Sequence, residues 1–157
     1  MAFTSFSGPI RSGTVREGAG RNTGLVVLAQ SYNSGDLTGA VVGNTDTAAF
    51  IIPAGSQIVD IVVDQTVAAT AGTTTVSVGN ATGGAQLMAA VATTAGGRFR
   101  GTATAATQAA WQTSTSADTV VYVRVAVGTA TLTAGQFYVT VQYVQRASNG
   151  AQNPASA

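Results

Sequence analysis

Glu17, Asp36, Asp46, Asp60, Asp64 and Asp118 are the only candidate general bases in this sequence, because histidine, cysteine and lysine are all absent. Catalysis near neutral pH usually relies on a group whose protonation can be poised there, and those three residue types are the usual choices. Catalysis by carboxylates alone, as in glycoside hydrolysis, needs two of them converging in one pocket. Asp60 and Asp64 fall on one face of a strand, but strand geometry sets them about 13 Å apart. They are expected to be solvent-facing charges that keep their strand soluble. No enzyme is expected and no catalytic residue is assigned.

Cofactor and metal chemistry find equally little support. The run Gly18 Ala19 Gly20 Arg21 Asn22 Thr23 Gly24 looks like a dinucleotide loop, yet its spacing is one residue too long, no strand precedes it and no helical pattern follows. Asp36 and Asp46 sit in separate turns without the dense acidic spacing of a calcium loop. Without cysteine there is neither a disulfide nor a thiolate metal site. No cofactor and no metal are expected. Asn80 Ala81 Thr82 fits a glycosylation acceptor only by chance, since nothing in the sequence has the form of a secretory signal. Trp111 could be a binding hot spot, but packing beneath a strand is the favoured expectation.

Charged residues make up 8% of the chain, and the formal net charge is +1, against about 25% charged residues in an ordinary soluble domain. A surface of Thr, Ser, Gln, Asn and backbone has little electrostatic repulsion, which favours association. Partners of this chain are therefore expected to be proteins: a small homo-oligomer, dimer or trimer, with no nucleic acid and no membrane. All seven basic residues are arginine, the cation better suited to interfaces.

The elements that would position these groups are strands. Val, Ala and Ile among many Thr, Gly and Ser form a strand-and-turn vocabulary, and 157 residues suit one domain. Strands are expected at Leu25–Tyr32, Ala48–Ile52, Gln57–Asp64, Thr73–Val78, Ala109–Thr113, Thr119–Val127 and Gln136–Val144, with a further short one at Arg98–Thr102. Turn signals separate them, the pattern of an all-β antiparallel sandwich. Alternation is clearest where Val121, Val123, Val125 and Val127 share one face, and where Phe137, Val139, Val141 and Tyr143 share another. These two strands are expected to form an antiparallel hairpin. Ala85–Val91 is the one segment where a helix competes.

Three parts are expected: an extended arm over residues 1–24, a sandwich over 25–146 and a flexible tail over 147–157. The arm carries five glycines, a net charge of +2 and isolated apolar residues, while the rest of the chain sums to −1. Phe3, Phe6, Ile10 and Val15, with Arg11, Arg16 and Arg21, are the candidate partner contacts.

The run Phe50 Ile51 Ile52 Pro53 Ala54 Gly55 Ser56 Gln57 Ile58 Val59 Asp60 Ile61 Val62 Val63 Asp64, followed by Ala71–Gly79 and closed by Gly128–Val144, resembles small β-sandwich virion proteins of tailed phages. The resemblance covers Ala48–Gln145 and leaves the arm and tail outside. It implies a jelly-roll-like module of the head decoration or cement type, bound to the major capsid protein at the capsid surface and synthesised in the host cytoplasm. No family binding residues carry over. A carbohydrate- or receptor-binding module of a phage tail or fibre is the alternative. It would need an exposed aromatic platform drawn from Trp111, Tyr32, Tyr122, Tyr138 and Tyr143. A surface-layer or adhesin module is disfavoured by the missing export signal.

Overall fold

The computed structural model describes residues 27–70, 73–100, 104–112 and 116–145. The arm expected over Met1–Gly24, with its seven candidate contacts, and the tail Ala147–Ala157 lie outside the described residues.

Among the described residues, eight strands and one helix follow in the order β1 (Val27–Asn33), β2 (Gly43–Ile52), β3 (Ser56–Thr70), β4 (Thr74–Gly79), β5 (Met88–Ala92), β6 (Gly97–Arg100), α1 (Ala105–Gln112), β7 (Thr119–Val127) and β8 (Ala134–Gln145). They form two four-stranded antiparallel sheets, β1-β8-β3-β6 and β2-β7-β4-β5. Every strand connection except β4–β5 crosses from one sheet to the other. That order is a jelly roll, the double-sheet solution built from two Greek keys, so the expected all-β sandwich is the observed fold.

The core lies between the sheets. Val121, Val123, Val125 and Val127 of β7 project inward from one side, and Phe137, Val139, Val141 and Tyr143 of β8 from the other. Ile61 and Val63 of β3, Val76 and Val78 of β4, and Met88 of β5 complete it, each 0% exposed. Burying a side chain of this size contributes about 1.5 to 3 kcal/mol. At the open sheet edges, the Gln30 amide of β1 donates to the carbonyl of Ile51 of β2 at 2.8 Å. Tyr32 meets Phe50 edge-on there, with centroids 6.5 Å apart.

Three local expectations are corrected. Ala109–Thr113 is not a strand: its described part belongs to α1. Alanine is the strongest helix former, and the Thr104 hydroxyl caps the helix by accepting the Thr107 N–H at 3.2 Å. Ala85–Val91 does not form a helix, because Met88 pairs with Val78 and Val91 with Val76 in the β5–β4 ladder. Finally, β7 and β8 are not a hairpin but lie in opposite sheets. Alternation shows that a strand has one buried face. Two such strands can satisfy it side by side or, as here, face to face across about 10 Å.

Asp60 and Asp64 share the outer face expected of them, and each also has an arginine partner. Both sit on the outer face of β3 opposite edge strand β6, where Arg100 Nη2 lies 3.3 Å from Asp60 and Arg98 Nε 2.6 Å from Asp64. The Asp64 hydrogen bond and charge raise the already high Arg98 pKa. The two pairs link β3 to a four-residue edge strand in which Phe99 is half-buried against the core.

Candidate functional site

The two ends of the sandwich are built differently. At one end, the segments 34–42 and 128–133 close over the core. Gly39 N–H donates to the Leu132 carbonyl at 2.8 Å, and Leu132 N–H to the Ala40 carbonyl at 2.9 Å. Leu132 is 1% exposed beneath them.

At the opposite end, here the base, three connections meet: β2–β3, β4–β5, and the α1-bearing segment between β6 and β7. The β2–β3 connection is a tight turn in which Ser56 N–H donates to the Pro53 carbonyl at 3.1 Å. Gly55, with φ 75°, supplies the left-handed third position that such a type II turn requires. Asp118, just before β7, accepts the Ala54 N–H at 2.9 Å and ties that turn to β7. The Trp111 indole N–H on α1 donates to the Leu87 carbonyl at 2.7 Å, which fastens the helix to the β4–β5 connection.

These contacts leave a cleft of about 210 Å³ between α1 and the sandwich. Its walls are Ile52, Ile58, Leu87, Ala110, Trp111 and Val121, with Ser56, Asn80 and Thr119 as polar members. The Ser56 hydroxyl is buried, with the residue 5% exposed, and has no hydrogen-bond partner. A buried hydroxyl without a partner costs free energy, so this atom marks a place where an incoming polar group is favoured.

Both described chain ends lie at the base as well. Val27, the first described residue, pairs with Val144, while Gln145 pairs with Ser56 and Val144 with Gln57. Among the described residues, five of the eight exposed large apolar ones lie towards this end: Val27, Leu28, Ile51, Val59 and Val120. Ile51 and Val120 are direct partners across β2 and β7, one residue from the Ile52–Thr119 pair. Ile51 and Val120 thus form an adjacent exposed apolar pair, and adjacent apolar exposure marks a candidate interaction surface.

Of the rings considered for an aromatic platform, Tyr143 is in the core, Tyr32 is half-buried on Phe50 and Trp111 lines the cleft. Tyr122 and Tyr138 lie on the outward-facing rows of opposite sheets. These five rings do not share a face. Trp111 packs half-buried against the core, as favoured, but from α1 rather than from a strand, and it forms a wall of the cleft. Among the described residues, no three His, Cys, Asp or Glu side chains group to hold a metal ion. Sequence reasoning missed the cleft because its walls come from β2, β3, β7, α1 and the β4–β5 connection, which only the crossing topology brings together.

No protein-family model and no curated protein matches the chain. Among solved structures it is similar to a chain in the capsid of Ralstonia phage GP4, with 23% identity and a TM-score of 0.57, over 87% of this chain and 92% of that one. It also matches a chain in the acidic stable capsid of Helicobacter pylori bacteriophage KHP30, with 16% identity and a TM-score of 0.49, over 76% of this chain and 95% of that one. A chain in the capsid asymmetric unit of cyanophage Pam1 matches at 22% identity and a TM-score of 0.39, over 90% and 98%. The first likeness establishes a shared fold.

Proposed function

We propose that this chain is a non-enzymatic structural protein of a phage virion, of the decoration or cement class, that binds the major capsid protein as a small homo-oligomer at the capsid surface. The observation that carries this reading is the base: among the described residues, most of the exposed large apolar side chains and both described chain ends lie at one end of a jelly roll. The fold it shares with a chain of a phage capsid supports the same reading. A charge-poor composition, with 8% charged residues, suits a molecule that works at high local concentration on a larger body.

In this reading the base faces the capsid and residues 1–24 extend the contact. Phe3, Phe6, Ile10 and Val15 fill pockets on the neighbouring capsid subunit. Arg11, Arg16 and Arg21 pair with its carboxylates, adding register more than affinity. The test is deletion of Met1–Asn22, which removes no described strand because β1 begins at Val27. The shortened protein is expected to keep its β-sheet spectrum and lose binding to particles stripped of the native protein. Full occupancy by the shortened protein would overturn the role of the arm.

A further inference from the structure

We infer that the cleft at the base is a docking site for the chain's own N-terminal segment, and that in the isolated protein it holds the ring of Phe3 or Phe6 against Trp111. The inference does not depend on the capsid role, because it concerns the chain alone.

Size, chemistry and position converge on this occupant. A cleft of about 210 Å³ with walls of Ile52, Ile58, Leu87 and Trp111 exceeds the room that one aromatic ring needs, since an apolar cavity of about 150 Å³ holds benzene. The cleft is not wholly apolar: the Ser56 hydroxyl lies in its lining, buried and without a partner. The best match is therefore a ring with hydrogen-bonding groups directly beside it. Phe3 Thr4 Ser5 Phe6 supplies two rings flanking two hydroxyl side chains, along with the peptide groups between them. Residues 147–157 also follow a strand that ends at the base, but they contain no aromatic residue and no branched aliphatic one.

Position then favours the same molecule over a second copy. Val27 and Gln57 both pair with Val144, so Val27 lies two strand spacings, about 10 Å, from the β3 wall of the cleft. The stretch from Phe6 to Val27 extends to about 70 Å, well beyond what is needed. A tethered segment acts at an effective concentration in the millimolar range, far above that of a second copy at micromolar protein. The ring need only bind weakly to be seated in cis.

Because the chain has no cysteine, a Ser7→Cys variant of the full chain takes a single nitroxide label just outside the docking stretch. In a methyl NMR spectrum, the label is expected to broaden the signals of Ile52, Ile58 and Leu87 in the full chain, by the same amount at every dilution. Adding Phe3→Ala and Phe6→Ala is expected to abolish that broadening while the core methyl signals of Val123 and Val139 stay in place, which shows that the fold is retained. Three results would overturn the inference. Unaffected cleft methyls would mean that the segment does not dock. Broadening that survives the double substitution would mean that the rings do not seat it. Broadening that appears only when labelled and isotope-enriched molecules are mixed would assign the cleft to a second copy.

Discussion

Trp111 and Leu87, from α1 and from the connection between β4 and β5, are joined by an indole N–H to carbonyl hydrogen bond of 2.7 Å. That bond closes one side of the base, and its partner elements are not neighbours in either sheet. Trp111→Phe keeps a ring in the wall of the cleft but leaves the Leu87 carbonyl without its donor. The loss of stability is expected to be about 1 to 3 kcal/mol, measured as a lower urea midpoint at unchanged slope. An unchanged midpoint would show that the bond contributes nothing net.

The helix that carries Trp111 depends on its cap. Thr104 receives the Thr107 N–H, and the Thr107 hydroxyl in turn donates to the Thr104 carbonyl at 2.9 Å. Thr104→Ala is expected to cost about 1 kcal/mol. Hydrogen exchange should quicken across Ala105–Gln112 and not in β7 or β8. Uniform quickening would place the effect in global unfolding instead.

The jelly-roll core makes a sharper demand. Phe137 is 0% exposed and Val41 is 71% exposed. Phe137→Ala is expected to cost about 3 to 5 kcal/mol, whereas Val41→Thr should stay within about 0.5 kcal/mol of the parent. Chemical denaturation of the two variants checks both. Comparable losses would contradict the assignment of the core.

Acid sensitivity follows from Asp36, whose carboxylate accepts both the hydroxyl and the N–H of Thr38, at 2.7 and 2.9 Å. These bonds, the hydroxyl first, hold its pKa below the ordinary value of 3.8. A lowered folded pKa means that the contribution is complete above 3.8 and fades as pH falls through the lower folded value. The melting temperature should therefore be flat from pH 8 to 6, where no histidine titrates. In an NMR titration the Thr38 amide should shift with a midpoint under 3.8; a midpoint at or above that value would contradict the geometry.

How far the sequence carried these conclusions differs from element to element. The inward rows of β7 and β8 were legible because period-two alternation reports directly which face is buried. Their placement in opposite sheets was not, since alternation is blind to which strand lies alongside. The turn at Pro53 Ala54 Gly55 was legible from its proline and glycine. Ala109–Thr113 misled because Trp111 and Thr113 resemble strand composition, whereas the Thr104 cap and the alanines of α1 decide the local structure. Likewise, the pairing of Asp60 and Asp64 with Arg100 and Arg98 needed the β3–β6 register. The cleft is a product of topology, and no spacing in the sequence announces it.

Quantitative mass spectrometry of purified, salt-washed particles from the source decides whether this chain is a stoichiometric part of a virion. This chain is expected in a fixed whole-number ratio to the major capsid protein, unchanged from one preparation to the next. Its absence from intact particles, or a trace amount that varies with the washing, would overturn the proposed structural role.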